Sequence, residues 1–456
     1  MTAPARVAAF HALRSVAAGR EDLPAAMVRA RTHLTDDRDR ALTADIVTGT
    51  LRWQRSVDHL IAHFARRPLG KIDADVVTIL RLSVYQLLHL DRVPAAAVVD
   101  DAVDLTRGAR KQSATGFVNA VLRSILRDRH RLPLPPRPDE PGDRDRALEY
   151  LTITHSHPDW LVRRWLDRHG FAATERWVQF NNLPAPLTLR ANRLRGDRDS
   201  VRAALATDGI TTEPTPYSPD GLIVAEGHPL RTPPDGSFVV QDEASQIVTH
   251  AVGARPGERV LDLCASPGGK TTAMAADMRD SGILVACDVR PRRVALLRAT
   301  VHTSGAKRVQ VVQVAVDGPL PFSGLFDRIL IDAPCSGLGT VRRDPDIRWR
   351  RAEADLQALA DAQVRLLHRA SELLRPGGRL VYATCSSEPE ENEQVVDRFL
   401  HDHTGFAAIS LRRESSVLDP LLDDRGMLRT LPFAHGLEAF FAVALVRRQV
   451  AETGGT

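Results

Sequence analysis

A chain of 456 residues is long enough for two or three domains and a large buried core. A hydrophobic share of 43% and a charged share of 26% are those of an ordinary soluble globular protein, and no stretch approaches the roughly 18 uninterrupted apolar residues of a membrane helix. Four cysteines, none in C-x-x-C spacing, exclude a disulfide framework and argue against a zinc site, so free thiols, a reducing compartment and no metal are expected.

Arg6, His11 and Arg14 interrupt the alanine-rich N-terminus, which reads as a helix rather than a signal peptide. A cytoplasmic protein without a membrane partner is the expectation. Residues 1–130 carry 20 Arg and Lys against 14 Asp and Glu, a net +6, which leaves −2 for the remainder of a chain at +4. That excess suits a polyanionic partner; a basic surface without one is the plainer alternative. Apolar residues recur at three- and four-residue spacing in VAAFHALRSV, ADIVTGTLRWQRSVDHLIAHFA, VVTILRLSVYQLLHL and GFVNAVLRSIL, with breakers at Pro68, Gly70, Pro94 and Gly108. Residues 1–130 therefore predict an all-helical bundle. The run RLPLPPRPDEPGD, with five prolines, marks a linker over 131–144 as an extended, semi-rigid spacer.

Residues 145–236 alternate helix and strand (PDWLVRRWLDRHG, PAPLTLRAN, SVRAALATDG, GLIVAEG) and predict a small α+β subdomain. From 237 to 450 apolar strands alternate with amphipathic helices: RVLDLC, ILVACD, VQVVQV, RILIDAP, GRLVYATC and FFAVALVRR. This pattern predicts an α/β domain with a doubly wound, mainly parallel sheet. Ligands of such a sheet bind beyond the carboxyl ends of its strands. All four cysteines fall there: Cys264, Cys287, Cys335 and Cys385.

The first turn, DLCASPGGKTT, places Gly268 and Gly269 where backbone can approach a ligand at a helix N-terminus, but it has neither Walker nor G-x-G-x-x-G spacing. A nucleoside ligand fits better than a phosphate cradle. Asp288, about 20 residues on, is placed to bind a ribose diol or to cap the helix that follows. Lysine occurs only at Lys71, Lys111, Lys270 and Lys307, so Lys270 in this turn draws notice. Asp332, Pro334 and Cys335 follow the fourth strand; these can equally shape a turn. Thr384-Cys385-Ser386 follows the fifth, ahead of Pro389 and acids that read as a helix start. In the strand order 3-2-1-4-5, Cys335 and Cys385 face one pocket, and spacing alone does not say which is the nucleophile. Arg342, Arg343, Arg348 and Arg350 are either phosphate contacts or a solvated surface.

DLCASPGGKT, DAPCSGLG and YATCS-x-x-PEENE closely resemble the motifs of RNA cytosine-5 methyltransferases of the Fmu/Sun/NOL-NOP type, over residues 145–448. RDRALTADIVTGTLR, ILRLSVYQLLHLDRVP and GFVNAVLR resemble the NusB-like RNA-binding domain, a pairing similar to the bacterial RsmB type, which acts on 16S ribosomal RNA. The resemblance implies a Rossmann-like catalytic domain using S-adenosylmethionine, with Cys264, Ala265, Ser266, Pro267, Gly268, Gly269 and Lys270 around the cofactor. It further implies Asp288 at the ribose, Asp317 at the adenine and Asp332 between cofactor and base. Cys385 would be the nucleophile and Cys335 would help release product, with Asp332 and Lys270 assisting. A monomer that binds ribosomal RNA is expected. The alternatives are a transfer or large-subunit RNA substrate, a non-catalytic RNA-binding or antitermination factor, and a small-molecule methyltransferase. One departure is Glu438-Ala439 where the family has Asp-Gly, expected to alter a turn near the pocket.

Overall fold

The computed structural model describes residues 2–140, 142–231, 235–412 and 414–449. Pro141 of the expected linker, residues 232–234 of the expected subdomain and Val450 at the end of the expected catalytic domain lie outside them. Two compact units are formed, by 1–184 with 341–353 and by 185–340 with 354–456.

The first unit is helical. Helices span Pro4–Ala17, Leu23–Thr32, Asp37–Arg52, Gln54–Ala65, Ala74–His89, Ala95–Gly108 and Thr115–Arg127. The side chains of Asp22, Asp36 and Asp73 cap three of them by accepting N–H groups of the first turn. Ile46, Leu60, Ile61, Ile79, Leu80, Val118 and Leu122 are fully buried in one core, as the three- and four-residue spacing requires. The described residues of the proline-rich run form no helix or strand, but they are not a free spacer. Its Pro133 carbonyl bonds His59 Nε2 at 2.9 Å, and the Thr154 hydroxyl donates to the Pro135 carbonyl at 2.7 Å. The boundary between units falls after Pro184, so the helical run Asp159–Asn182, broken at Gly170 (φ 73°), belongs to the first unit.

The segment 341–353 also belongs to this unit. Arg348 is fully buried and donates to the Ser156 carbonyl (2.9 Å), Asn182 Oδ1 (3.0 Å) and the Asn181 carbonyl (3.2 Å). The Trp349 indole donates to the Leu51 carbonyl at 2.6 Å. Arg342 donates to the Pro184 carbonyl at 2.7 Å and stacks 4.3 Å above the Phe180 ring. Arg348 is thus a structural anchor. Its place in the phosphate-contact reading is corrected by burial, which leaves its guanidinium no access to a polyanion.

The second unit holds two sheets. In the smaller, β1 (Thr188–Ala191), β2 (Thr211–Pro214), β3 (Gly221–Glu226) and β4 (Phe238–Val240) pair antiparallel in the order β2-β3-β1-β4. The larger contains β5 (Arg259–Asp262), β6 (Ile283–Asp288), β7 (Val309–Gln313), β8 (Phe326–Asp332), β9 (Leu374–Thr384), β10 (Phe406–Ile409), β11 (Leu428–Thr430) and β12 (Phe440–Arg447). Its order is β10-β12-β9-β8-β5-β6-β7, with β11 on β12. The five strands β7-β6-β5-β8-β9 are parallel and reproduce 3-2-1-4-5. β12 then pairs antiparallel with β9, and β10 with β12, so the sheet is mixed. Both faces are covered. Leu261, Ile329, Ile331, Leu380 and Tyr382 enter one core, and Val260, Leu330, Val381 and Ala383 the other, the two-residue alternation of a doubly buried strand.

Candidate active site

The turn after β5 is built by glycine. Gly268 has φ 109° and caps the helix Gly269–Asp277, and a Cβ there would lie 3.0 Å from Leu297 Cδ1. Arg190 on β1 is buried and holds the turn from behind, donating to the Gly269 carbonyl (3.1 Å), Thr272 Oγ1 (2.8 Å) and Gln241 Oε1 (2.7 Å). Ser266-Pro267 is a cis peptide, and the Ser266 carbonyl accepts from Arg293 at 2.7 Å.

Asp262 ends β5 fully buried. Its Oδ2 accepts from Thr271 Oγ1 at 2.7 Å, while its Oδ1 has no partner. Burial pushes this carboxyl up to about 7, with Asp332 and Asp288 adding to the rise. An orphaned acceptor beside the turn suits a ligand that brings a donor or a cation. The sign of its effect on stability follows. The folded protein holds the Asp262 proton more tightly than the unfolded chain, so this contribution is complete below about pH 4 and is lost as pH rises through about 7. Asp262→Asn, which cannot ionise, should gain thermal stability relative to wild type between pH 5 and pH 8, by on the order of a few kcal/mol, in ligand-free melting curves. A difference that does not change with pH would refute this.

Asp288 ends β6. Its Oδ1 accepts the Val289 and Arg290 N–H groups at 2.8 and 3.2 Å, and its Oδ2 lies 3.2 Å from Arg293 Nε. The residue therefore does order the start of the next helix. Asp317 follows β7 in an exposed loop. Asp332 ends β8 and receives the Lys270 ammonium at 2.8 Å; Lys270 also donates to Ser245 Oγ (2.9 Å) and sits 5.6 Å from the centre of the Phe440 ring. Burial works against the Lys270 charge, but Asp332 and the nearby Cys385 outweigh it, and the ammonium is held above its ordinary value. Lys270 is a fixed cation.

Cys335 and Cys385 meet, with Sγ atoms 3.3 Å apart. The hydrogen bond to Cys385, burial and nearby Glu391 together push the Cys335 thiol well up. Burial pushes Cys264 well up and Cys287 up to about 12, so these two remain thiols. Gly339 lets three segments converge. Its N–H donates to the Cys385 carbonyl (2.9 Å), its carbonyl accepts from Ala439 (3.0 Å), and a Cβ would lie 1.9 Å from the Ala439 oxygen. Ala439 does not adopt a left-handed φ.

The sequence reading missed the residues beneath the cysteines. Gln363, Ser336, Ser386 and Glu391 bond into one cluster, Glu391 is fully buried, and Ser245 accepts from Lys270. The acids after Pro389 do not open a helix at once. Pro389–Glu391 forms a tight turn that aims Glu391 inward, and the helix begins at Glu393. The available signal was a serine directly after each cysteine, in Cys335-Ser336 and Cys385-Ser386.

A 3-2-1-4-5 sheet with a glycine turn after its first strand and an acid ending its second is built to hold a nucleoside cofactor beyond its strand ends, and the orphaned Asp262 acceptor and Asp288 fit S-adenosylmethionine. Residues 250–446 match the family "16S rRNA methyltransferase RsmB/F", 3–127 the "NusB family" and 157–231 a "Methyltr_RsmF/B-like, ferredoxin-like domain". The chain is 35% identical to ribosomal RNA small subunit methyltransferase B of Pseudomonas putida, over 91% of this chain and 93% of the relative. It is 32% identical to the probable ribosomal RNA small subunit methyltransferase B of Bacillus subtilis, over 90% and 91%. The crystal structure of PH0851 superposes with a TM-score of 0.79 at 25% identity, over 98% of this chain and 99% of that one. NSun6 from Pyrococcus horikoshii with SFG, at 19% identity and a TM-score of 0.58, covers 65% of this chain and shares the fold. The chain belongs to the ribosomal RNA small subunit methyltransferase B family of S-adenosylmethionine-dependent RNA methyltransferases. Among the described residues no helix is long and apolar enough to cross a membrane.

Proposed function

We propose that this protein methylates C5 of a cytosine in 16S ribosomal RNA, with Cys385 as nucleophile. The observation that carries the reading is the Cys335–Cys385 pair, 3.3 Å apart at the strand ends, with the Lys270–Asp332 ion pair at the same edge. C5 of cytosine is a poor nucleophile. A thiolate adding to C6 turns the ring into an enamine, whose C5 can accept a methyl group. The cofactor supplies that group from its sulfonium.

Cys385 is the better candidate for the nucleophile. Cys335 can donate a hydrogen bond to it, and Lys270 supplies a positive field. Asp332, held by Lys270, would face the N3/N4 edge of the base, and Asp288 the ribose of the cofactor. The loop 264–270 would close around the cofactor, and Asp317 would reach its adenine. Water, or Cys335 after passing its own proton to water, would take the C5 proton before Cys385 leaves. The target base must be unstacked or already in a loop. The helical residues 1–130, with their positive excess, would bind the RNA.

Bisulfite sequencing of total RNA from a deletion strain tests the substrate. One cytosine of 16S RNA should lose its protection and regain it on complementation. A lost signal in transfer or large-subunit RNA, with 16S RNA unchanged, would replace the substrate and keep the chemistry.

A further inference from the structure

We propose that Glu391 is a positioning residue whose buried carboxylate ties the loop carrying Cys335 to the loop carrying Cys385 and so sets the spacing of the two sulfurs. The inference rests on the reading of these cysteines as the reacting pair. Glu391 is fully buried. Its Oε1 accepts the Ser336 backbone N–H at 2.7 Å and the Gln363 amide at 3.0 Å. Its Oε2 accepts the Ser336 and Ser386 hydroxyls, each at 2.5 Å. Ser336 and Ser386 directly follow Cys335 and Cys385 in the chain.

Hydrogen-bond counting shows how complete the arrangement is. A serine hydroxyl has one proton to give. With both protons on Glu391, the two serine oxygens, 3.2 Å apart, are joined through the shared carboxylate and not by a bond of their own. Each oxygen also accepts a backbone N–H of its own loop, from Leu338 (3.4 Å) and Glu388 (3.1 Å). Gln363 donates both to Glu391 and to the Pro334 carbonyl (2.9 Å), one residue before Cys335. The Tyr382 hydroxyl holds the Glu391 backbone carbonyl at 2.5 Å. A buried carboxylate costs free energy unless donors surround it. Here four neutral donors do, two on the Cys335 loop, one on the Cys385 loop and one on the helix Asp355–Ser371. An acid that merely favoured a helix start would stand in solvent.

Glu391→Gln separates this role from simple packing. The side chain keeps its shape, but it offers one acceptor oxygen and turns an amide donor toward groups that are themselves donors. In the full-length protein kcat should fall about 100-fold, the loss typical of a small misplacement, while affinity for the cofactor analogue sinefungin stays within about threefold. Removing the negative charge should also shift the pH profile of Cys335 alkylation by iodoacetamide, followed by mass spectrometry, to lower pH. A kcat within about threefold of wild type, or an unmoved Cys335 profile, overturns the proposal. If Glu391→Gln does not fold, Ser336→Ala and Ser386→Ala carry the test. Each removes one hydroxyl donor, and their losses in kcat should be less than additive because both act through one carboxylate. Full additivity, or no loss in either, overturns it. Wild-type methylation by Cys385→Ala would instead overturn the reading of the pair, and the Cys335 alkylation profile would still judge Glu391.

Discussion

Cys385→Ala should reduce RNA methylation by about 10,000-fold or more, measured with labelled cofactor, because residues acting as one covalent unit fail together when the nucleophile goes. Cys335→Ala should behave differently. The Cys385 sulfur can still add to C6, and the methyl group can still arrive, but the group beside the departing thiol is missing. The expected result is a covalent RNA–protein adduct that survives denaturing electrophoresis. The two variants are informative together, because the sulfurs are only 3.3 Å apart and either could reach the same atom. An adduct trapped by Cys385→Ala, with Cys335→Ala forming none and losing activity, would reverse the two roles.

Arg348→Met should cost the first unit about 3 kcal/mol, read from denaturant unfolding, with one buried acceptor after another left unpaired. The side chain is fully buried and its acceptors include the carbonyls of Arg52, Ser156 and Asn181 and the amide oxygen of Asn182. Desolvation holds its guanidinium well below the ordinary value, a sign of how little water reaches it. Methionine fills similar space without donors, so the loss measures the hydrogen bonds more than a cavity. Arg350→Met provides the contrast. Arg350 is exposed and pairs with Asp346 at 3.4 Å, an interaction worth less than about 1 kcal/mol. Equal losses in the two variants would refute the anchoring role.

The parallel strands were legible in the sequence because each is a short apolar run bounded by polar turns, and a doubly buried strand must look like that. Their order followed from the usual topology, and with it the meeting of Cys335 and Cys385. β10 and β11 were missed. FAAI and LRT are too short to show a period, and their pairing with β12 is a tertiary fact. Glu391 was misread because an acid after proline ahead of an amphipathic run has a local explanation, the helix dipole, that conceals a long-range one. Arg348 was misread for a related reason. Four arginines in nine residues look solvated, and only the fold shows that one of them points into a core.

The interruption of the first unit by more than 150 residues has a consequence for biosynthesis. Synthesis proceeds from the N-terminus, and domains generally fold as they emerge. Here the helices before Pro184 are released long before residues 341–353, so they leave the ribosome without Trp349 and Arg348. The carbonyls of Leu51, Ser156 and Asn181 are then without the donors that Trp349 and Arg348 supply. The nascent helical unit completes itself only after the strand bearing Asp332 and the loop bearing Cys335 have been made. Final consolidation of the N-terminal unit is thereby linked in time to the synthesis of the loop bearing Cys335, and a chain truncated before residue 341 carries a helical unit lacking its anchor.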